Sequence, residues 1–354
     1  MKRMIRGVVF MCCMGISSAA ELYLDLQKLP DFPAPGVAGP FAGMLGETLV
    51  FAGGANFPVS PGEDLLTVPK VWHPDIHTLC TVTGKRWRSE FHLDRPVAYG
   101  ASVTTPYGIV CMGGEDESTV FKECFLLREE NGRFIQVPLP DLPAPCAYGA
   151  AAVIDNKIYL AGGQSRKGLD SALYNFWMLD ISLLNTGDAD FCWQELPAWP
   201  GPARTLNLTL AQNNKIYVIS GRSGAIDAAV PGSDILQDVY EFNPDGSEWR
   251  RCADIPQAVY AGTGAAIDGE KLLILTGIDK ATATRPAGSG NSGFSPRAWI
   301  YGAIADAWNE ITPAQDNQIV TPAIKYNGNI YLISGENGPR RRSLSSWCIT
   351  PVEK

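Results

Sequence analysis

The chain has only three histidines in 354 residues, His73, His77 and His92, all within one short stretch. His73 and His77 lie four apart, a ligand spacing on a helix, but VWHPDIHTL has Pro74 between them and reads as entry to a strand. Both are expected to be structural, and no metal site is expected. Cysteine is also sparse: nine in all, Cys12 and Cys13 near the start and seven beyond, with no CxxC spacing. An odd set of this kind is no disulfide scaffold and reads mostly as buried thiols. Cys111 and Cys124 are expected on adjacent strands and could bridge in an oxidising compartment if their register matched. Basic residues are outnumbered, 29 against 37 acidic, for a formal charge of −8, so no nucleic-acid surface is implied. A nucleophile elbow and a phosphate-binding loop are absent.

The apolar run Gly7 to Ile16 is too short to span a membrane. With Lys2, Arg3 and Arg6 before it and Ser18, Ala19 and Ala20 after it, it reads as a secretory signal peptide, residues 1–20, cleaved after Ala20. Cys12 and Cys13 lack the small-residue context of a lipoprotein cleavage site. Cleavage removes three positive charges and takes the formal charge from −8 to −11. A periplasmic or secreted protein, with no membrane insertion after cleavage, is the expectation.

What the chain has in abundance is one phrase: a short apolar strand ending in Gly. LVFAGG ends at Gly54, IVCMGG at Gly114, IYLAGG at Gly163, IYVISG at Gly221, LLILTG at Gly277 and IYLISG at Gly335, at intervals of roughly 50 to 60 residues. Repeats of this period with short strands predict an all-β, six-bladed kelch-type β-propeller, one domain over 21–354. Outer strands before proline-marked turns recur, as in GRFIQVPLP and SEWRRCADIP, and Trp249 stands where kelch repeats place a tryptophan. The last repeat carries only one strand beyond Gly335, expected at Leu344 to Ile349. The alternating segment 22–29 should complete that blade and close the ring. Blade three should place its third strand at Tyr174 to Ile181. Two long segments, 55–70 in blade one and 279–297 in blade five, read as binding loops or lids.

Rotational equivalence puts the residues after the Gly marks around one mouth of the channel, read here as Asn56, Glu115, Gln164, Arg222, Asp279 and Glu336. The sharpest local chemistry is GENGPRRR. Glu336 is expected to leave the strand end into a loop, with Arg340, Arg341 and Arg342 a few residues on, an arrangement suited to moving protons on an anionic substrate. A copper radical enzyme would need more histidine ligands than one blade supplies. A sialidase would carry repeated Asp boxes, whereas NPDGSEW occurs once and lacks the leading Ser.

The segment GENGPRRRS at 335–343 resembles the GE…P…R segment of bacterial N-acetylneuraminate epimerases, also called sialic acid mutarotases, and FAGGANFP, WHPDIH and DRPVAYGAS extend the likeness along the chain. FAGGANFP here precedes the GE segment, so the chain resembles a cyclically permuted branch of that family. The resemblance implies a secreted propeller that interconverts the α and β anomers of free N-acetylneuraminate without cofactor or metal. It places the family's functional pair on Glu336 and Arg342, with the neighbouring Arg340 and Arg341 leaving the arginine less firmly assigned than the acid. Arg222, Asn56, Gln164, Tyr99 and Arg340 are the further candidates for substrate binding. The partner expected is therefore a small sugar acid. A non-catalytic kelch module binding a glycan or protein, and a mutarotase of another sugar, are the alternatives. Oligomeric state has no signature in the sequence.

Overall fold

The computed structural model describes residues 22–353 apart from 60–63, 66, 226–229, 231, 268, 285–293, 296 and 312–316. The expected signal peptide lies outside the described residues. The protein is a six-bladed β-propeller made of six four-stranded antiparallel sheets. Blades one to five each take four strands in order from the axis outward, beginning at Phe41–Leu45, Ala101–Thr105, Ala150–Ile154, Leu208–Gln212 and Val259–Ala266. Blade six takes Ile324–Tyr326, Asn329–Ile333 and Ser346–Glu353, and its outer strand is Leu22–Lys28 from the start of the chain. Leu22 pairs with Glu353 and Lys28 with Trp347, which is the ring closure expected from the sequence. The third strand of that blade begins and ends later than expected, at 346–353, because residues 336–342 fold into a small hairpin of their own. In blade three the third strand is Phe176–Asp180, slightly shorter than expected.

Why the repeated phrase is a continuous apolar run, and not an alternating one, follows from where the core lies. Of the eight hydrophobic clusters among the described residues, six each lie between two neighbouring blades. In IYLIS, Ile330 and Leu332 pack into the interface with blade five, while Tyr331 and Ile333 pack into the interface with blade one. Side chains alternate between the two faces of a strand, so a sheet covered on both faces needs apolar residues at every position. The same rule separates the two cysteines considered for a bridge. Cys111 is opposite Phe125 and faces blade one, whereas Cys124 is opposite Met112 and faces blade three. Both are free thiols, pushed up in pKa by burial, Cys124 to about 12.

The terminal glycine of the phrase couples one blade to the next. Gly335 has φ +83°, and a Cβ there would lie 2.6 Å from the Ile319 carbonyl oxygen. Its N–H donates to Val37 O, and in the same way Gly54 donates to Val97 O and Gly114 to Cys146 O. Only glycine tolerates both the left-handed backbone and the close approach. On the outer side, Trp249 Nε1 donates to Pro197 O of the preceding blade, and Trp308 does the same to Ala253 O.

Around the axis, six residues, one per blade, form a closed belt of peptide hydrogen bonds. Gly39 N donates to Val320 O, Val320 N to Ala261 O, Ala261 N to Leu206 O, Leu206 N to Tyr148 O, Tyr148 N to Tyr99 O, and Tyr99 N to Gly39 O, over 2.6 to 3.1 Å. All six have φ between +53° and +65°. For Tyr99, Tyr148, Leu206, Ala261 and Val320 this conformation is unfavourable by itself, and the closed belt holds it.

Candidate functional site

The belt divides the axis into two compartments of different chemistry. On one side lies a cavity of about 200 Å³ lined by the first strands, with residues such as Ala101, Ser102, Ala150, Thr209 and Gly262 and no charged side chain. On the other side lie the residues that follow the Gly marks. Glu115, Gln164, Arg222 and Glu336 form equivalent backbone bridges to Ala98, Ala147, Thr205 and Ile319. The members from blades one and five are Ala55, bridged to Ala38, and Ile278, paired with Tyr260. The expected Asn56 and Asp279 are each one residue too far along, and on extended backbone a one-residue shift turns the side chain to the opposite side. Asn56 is buried, with Nδ2 donating to Gly36 O at 3.1 Å and Oδ1 unpartnered. Asp279 is buried as the cap of a short helix, Lys280–Ala283, accepting from Thr282 N and Gln257 Nε2. The remainder of the expected 279–297 loop lies largely outside the described residues.

Glu336 is not released into a loop. It starts a two-stranded hairpin, Glu336–Gly338 with Arg341–Arg342, whose register sets Glu336 directly opposite Arg342. One oxygen, Oε1, takes the Arg340 backbone N–H and lies 3.4 Å from Arg342 Nη1. The other, Oε2, has no partner among the described residues. Arg342 is nearly inaccessible, 4% exposed, and Glu336 is 19% exposed. The Nε of Arg342 donates to Ala55 O at 2.8 Å, so the hairpin is anchored to blade one across the ring seam.

Arg340 faces elsewhere. Its guanidinium donates to the carbonyls of Leu65 and Val68 and lies 3.8 Å from the Phe57 ring centroid, so it holds the blade-one insertion in place. Arg222 is ion-paired with buried Asp234 at 2.5 Å and lies 4.8 Å over the Tyr260 ring. Gln164 is buried on its bridge to Ala147. Tyr99 stacks on Tyr148 at 4.5 Å between centroids, and both are belt residues. Burial raises the Tyr99 pKa, and the neighbouring Arg342 guanidinium opposes that rise.

Three contributors to this mouth, Tyr148, Lys70 and Tyr260, went unnamed as site residues in the sequence reading. Tyr148 donates its hydroxyl to buried Glu115 at 3.0 Å, and burial raises its pKa strongly. The Lys70 ammonium lies 4.6 Å over Tyr99 and 5.4 Å over Trp72, with its pKa lowered by burial and partly restored by Glu115. Tyr260, with its pKa raised by burial and opposed by Arg222, also feels the Glu336 charge. The signal for Tyr148 was present, since PVAYGAS at 96–102 is echoed by PCAYGAA at 145–151. Lys70 carried no such signal, because it sits at the end of an irregular insertion. The charges of Glu336 and Arg342 reach both Lys70 and Tyr99, so acid, guanidinium, ammonium and phenol share one bowl.

The histidines lie apart from this bowl. His77 Nδ1 is 2.8 Å from Ser89 Oγ, and its pKa is lowered to about 4 by burial, while His73 and His92 flank Asp75. Among the described residues no group of three or more His, Cys, Asp or Glu is placed to hold a metal ion.

Fold and site together define a kelch-type propeller with an acid and an arginine paired at one axial opening. The N-acetylneuraminate epimerase family model matches residues 139–284. The N-acetylneuraminate epimerase of Yersinia enterocolitica is 32% identical over 145 residues, 40% of this chain and 33% of that protein. That of Pasteurella multocida is 27% identical over 141 residues, again 40% and 33%. That of Brucella suis is 36% identical over 125 residues, 32% and 31%. These matches span about a third of the relatives' length. The solved structure titled "Structure of YjhT" superposes with a TM-score of 0.70 at 14% identity, covering 92% of this chain and 99% of that one, a likeness of fold. Over residues 139–284 the chain is similar to the N-acetylneuraminate epimerases, the family that segments outside that range resemble. The family match takes in Tyr148, Gln164, Arg222 and Tyr260 and stops short of Glu336.

Proposed function

We propose that the protein catalyses anomer exchange of free N-acetylneuraminate, opening and reclosing the sugar ring by acid–base chemistry. The observation that carries this reading is the Glu336–Arg342 pair at the mouth, with one carboxylate oxygen anchored and the other without a partner. Ring opening of a 2-keto sugar needs a proton taken from the anomeric hydroxyl and one delivered to the ring oxygen. Closing on the other face reverses both transfers. Oε2 of Glu336 takes the proton of the anomeric hydroxyl and passes it to the ring oxygen, directly or through a water; after the carbonyl has turned, it takes that proton back from the new hydroxyl and delivers it to the re-formed anomeric oxygen. Positioned proton transfer of this type contributes about 10²- to 10⁴-fold. Arg342 fixes the orientation of Glu336 and supplies positive potential for the carboxylate that sialic acid carries on its anomeric carbon. Its Nε is engaged by Ala55 O, so a fork built on Nε is not open to the substrate. A cleavable leader and a periplasmic or secreted setting belong to the same proposal, where the enzyme would meet sialic acid released outside the cytoplasm.

The test follows the α and β anomers of freshly released N-acetylneuraminate by NMR with wild type and Glu336→Gln. Acceleration by wild type and its loss in the variant are expected. Equilibration by wild type no faster than in buffer would leave the binding-module reading in place of the enzyme.

A further inference from the structure

We infer that Lys70 is the residue that receives the carboxylate of the sugar acid, and so sets the preference for acidic over neutral sugars. This deepens the mutarotase reading and rests on it. The argument begins with which cations around the mouth are already engaged. Arg222 is closed on Asp234. Arg340 is spent on the Leu65 and Val68 carbonyls. Lys167 donates to Asp116 O and lies 3.6 Å from Glu115. Arg342 donates through Nε to Ala55 O and is ion-paired with Glu336 at 3.4 Å, with Nη1 making no hydrogen bond of its own and the side chain only 4% exposed.

Lys70 alone among these has no hydrogen-bond or ion-pair partner among the described residues. Its ammonium is held over rings: Tyr99 at 4.6 Å, Trp72 at 5.4 Å and Phe57 at 5.9 Å. Ring faces attract a cation without using up its N–H donors, so all three remain for an incoming acceptor. Partial removal from water makes a carboxylate a stronger partner there than it would be on an open surface. The downward push of burial on the Lys70 pKa agrees with a cation short of compensating anion, and Glu115 and Glu336 offset it only in part. Lys70 also shares Tyr99 as a neighbour with Arg342, so an anion on Lys70 lies within the field of the Glu336–Arg342 pair. A 2-keto acid sugar has its carboxylate on the reacting carbon. Holding that group at Lys70 therefore positions the anomeric centre for Glu336, with no covalent step at the lysine.

The experiment compares wild type, Lys70→Met and Lys70→Arg on N-acetylneuraminate and on its methyl ester, which keeps the anomeric centre and lacks the charge. Thermal melts check the fold of each variant. For the free acid, K70M should raise KM by about 10- to 100-fold with kcat within about 3-fold, and K70R should recover most of the loss. For the ester, wild type and K70M should have the same KM. An unchanged KM for the acid, or an equal rise for acid and ester, would overturn the assignment. Equilibrium binding of acid and ester, followed by NMR titration on the same proteins, separates this from the parent reading. If wild type binds the acid without exchanging its anomers, mutarotation fails, and Lys70 stands only if K70M loses acid binding alone. If wild type binds neither, both fail.

Discussion

Two arginine–carboxylate pairs stand at the same mouth, one on blade four and one on blade six, and they are built differently. Arg222 and Asp234 meet at 2.5 Å, with the aspartate 1% exposed and the guanidinium under Tyr260. Arg342 and Glu336 are 3.4 Å apart, and the glutamate, although anchored through Oε1, is 19% exposed. Both acids belong to segments that follow a Gly mark, and each arginine is bridged or paired to the inner wall of the mouth. In the first pair the spare aspartate oxygen, Oδ1, is buried without a partner and out of reach of a substrate, so the pair acts as part of the wall. The second keeps an oxygen in reserve. A carboxylate that is oriented but not consumed is what proton transfer needs, whereas a closed buried pair contributes mainly through the cost of breaking it.

The largest effect that tests this contrast is expected at Glu336. E336Q should lower the rate of anomer exchange by about 10²- to 10⁴-fold with little change in melting temperature. Equal loss of stability and activity would show the pair to be structural like its counterpart. Asp234→Asn should do the reverse, costing about 3 kcal/mol of stability by leaving Arg222 without its charge partner, read by denaturant unfolding, with a smaller fall in activity than E336Q.

A third prediction separates pH effects on the ring from those on the site. The His77 pKa is about 4 in the folded protein and near 6.5 when unfolded. The unfolded chain therefore binds the proton first, and stability from this residue is full above pH 6.5 and falls as pH drops toward 4, by roughly 2–3 kcal/mol. His77→Phe should flatten that part of the stability profile and leave anomer exchange at neutral pH unaltered. The smallest effect is expected at Tyr148→Phe, which removes the hydrogen bond to Glu115 and should cost about 1 kcal/mol of stability. If Y148F instead lowered exchange as far as E336Q, the chemistry would be spread across the bowl and not concentrated at one acid.

The repeat was legible because each copy solves the same local problem. An apolar run long enough to feed two interfaces, ended by a glycine that turns left-handed against the next blade, leaves the same mark each time. The N-terminal closing strand was legible for the same reason, as a period-two segment with no blade of its own. Site positions were legible only where the repeat was regular. Glu115, Gln164, Arg222 and Glu336 all fall on equivalent bridges, whereas Asn56 and Asp279 were misplaced by one residue because blades one and five follow their glycines with Ala55 and Ile278. Cys111 and Cys124 do lie on adjacent strands as buried free thiols, and the register that a bridge would have needed is missed by one position, which turns them to opposite faces.

Short-range patterning in the chain was sufficient for a ring of six sheets, for its closure by the first strand on the last, and for an acid with arginines beside one opening. Which of those arginines is free was settled by distant contacts. Arg340 is claimed by a carbonyl 275 residues away in sequence and Arg342 by one 287 residues away, while Lys70 is left over three aromatic rings. Strand and turn preferences act over a few neighbours. The partner of a charged side chain depends on which segments the closed ring brings together.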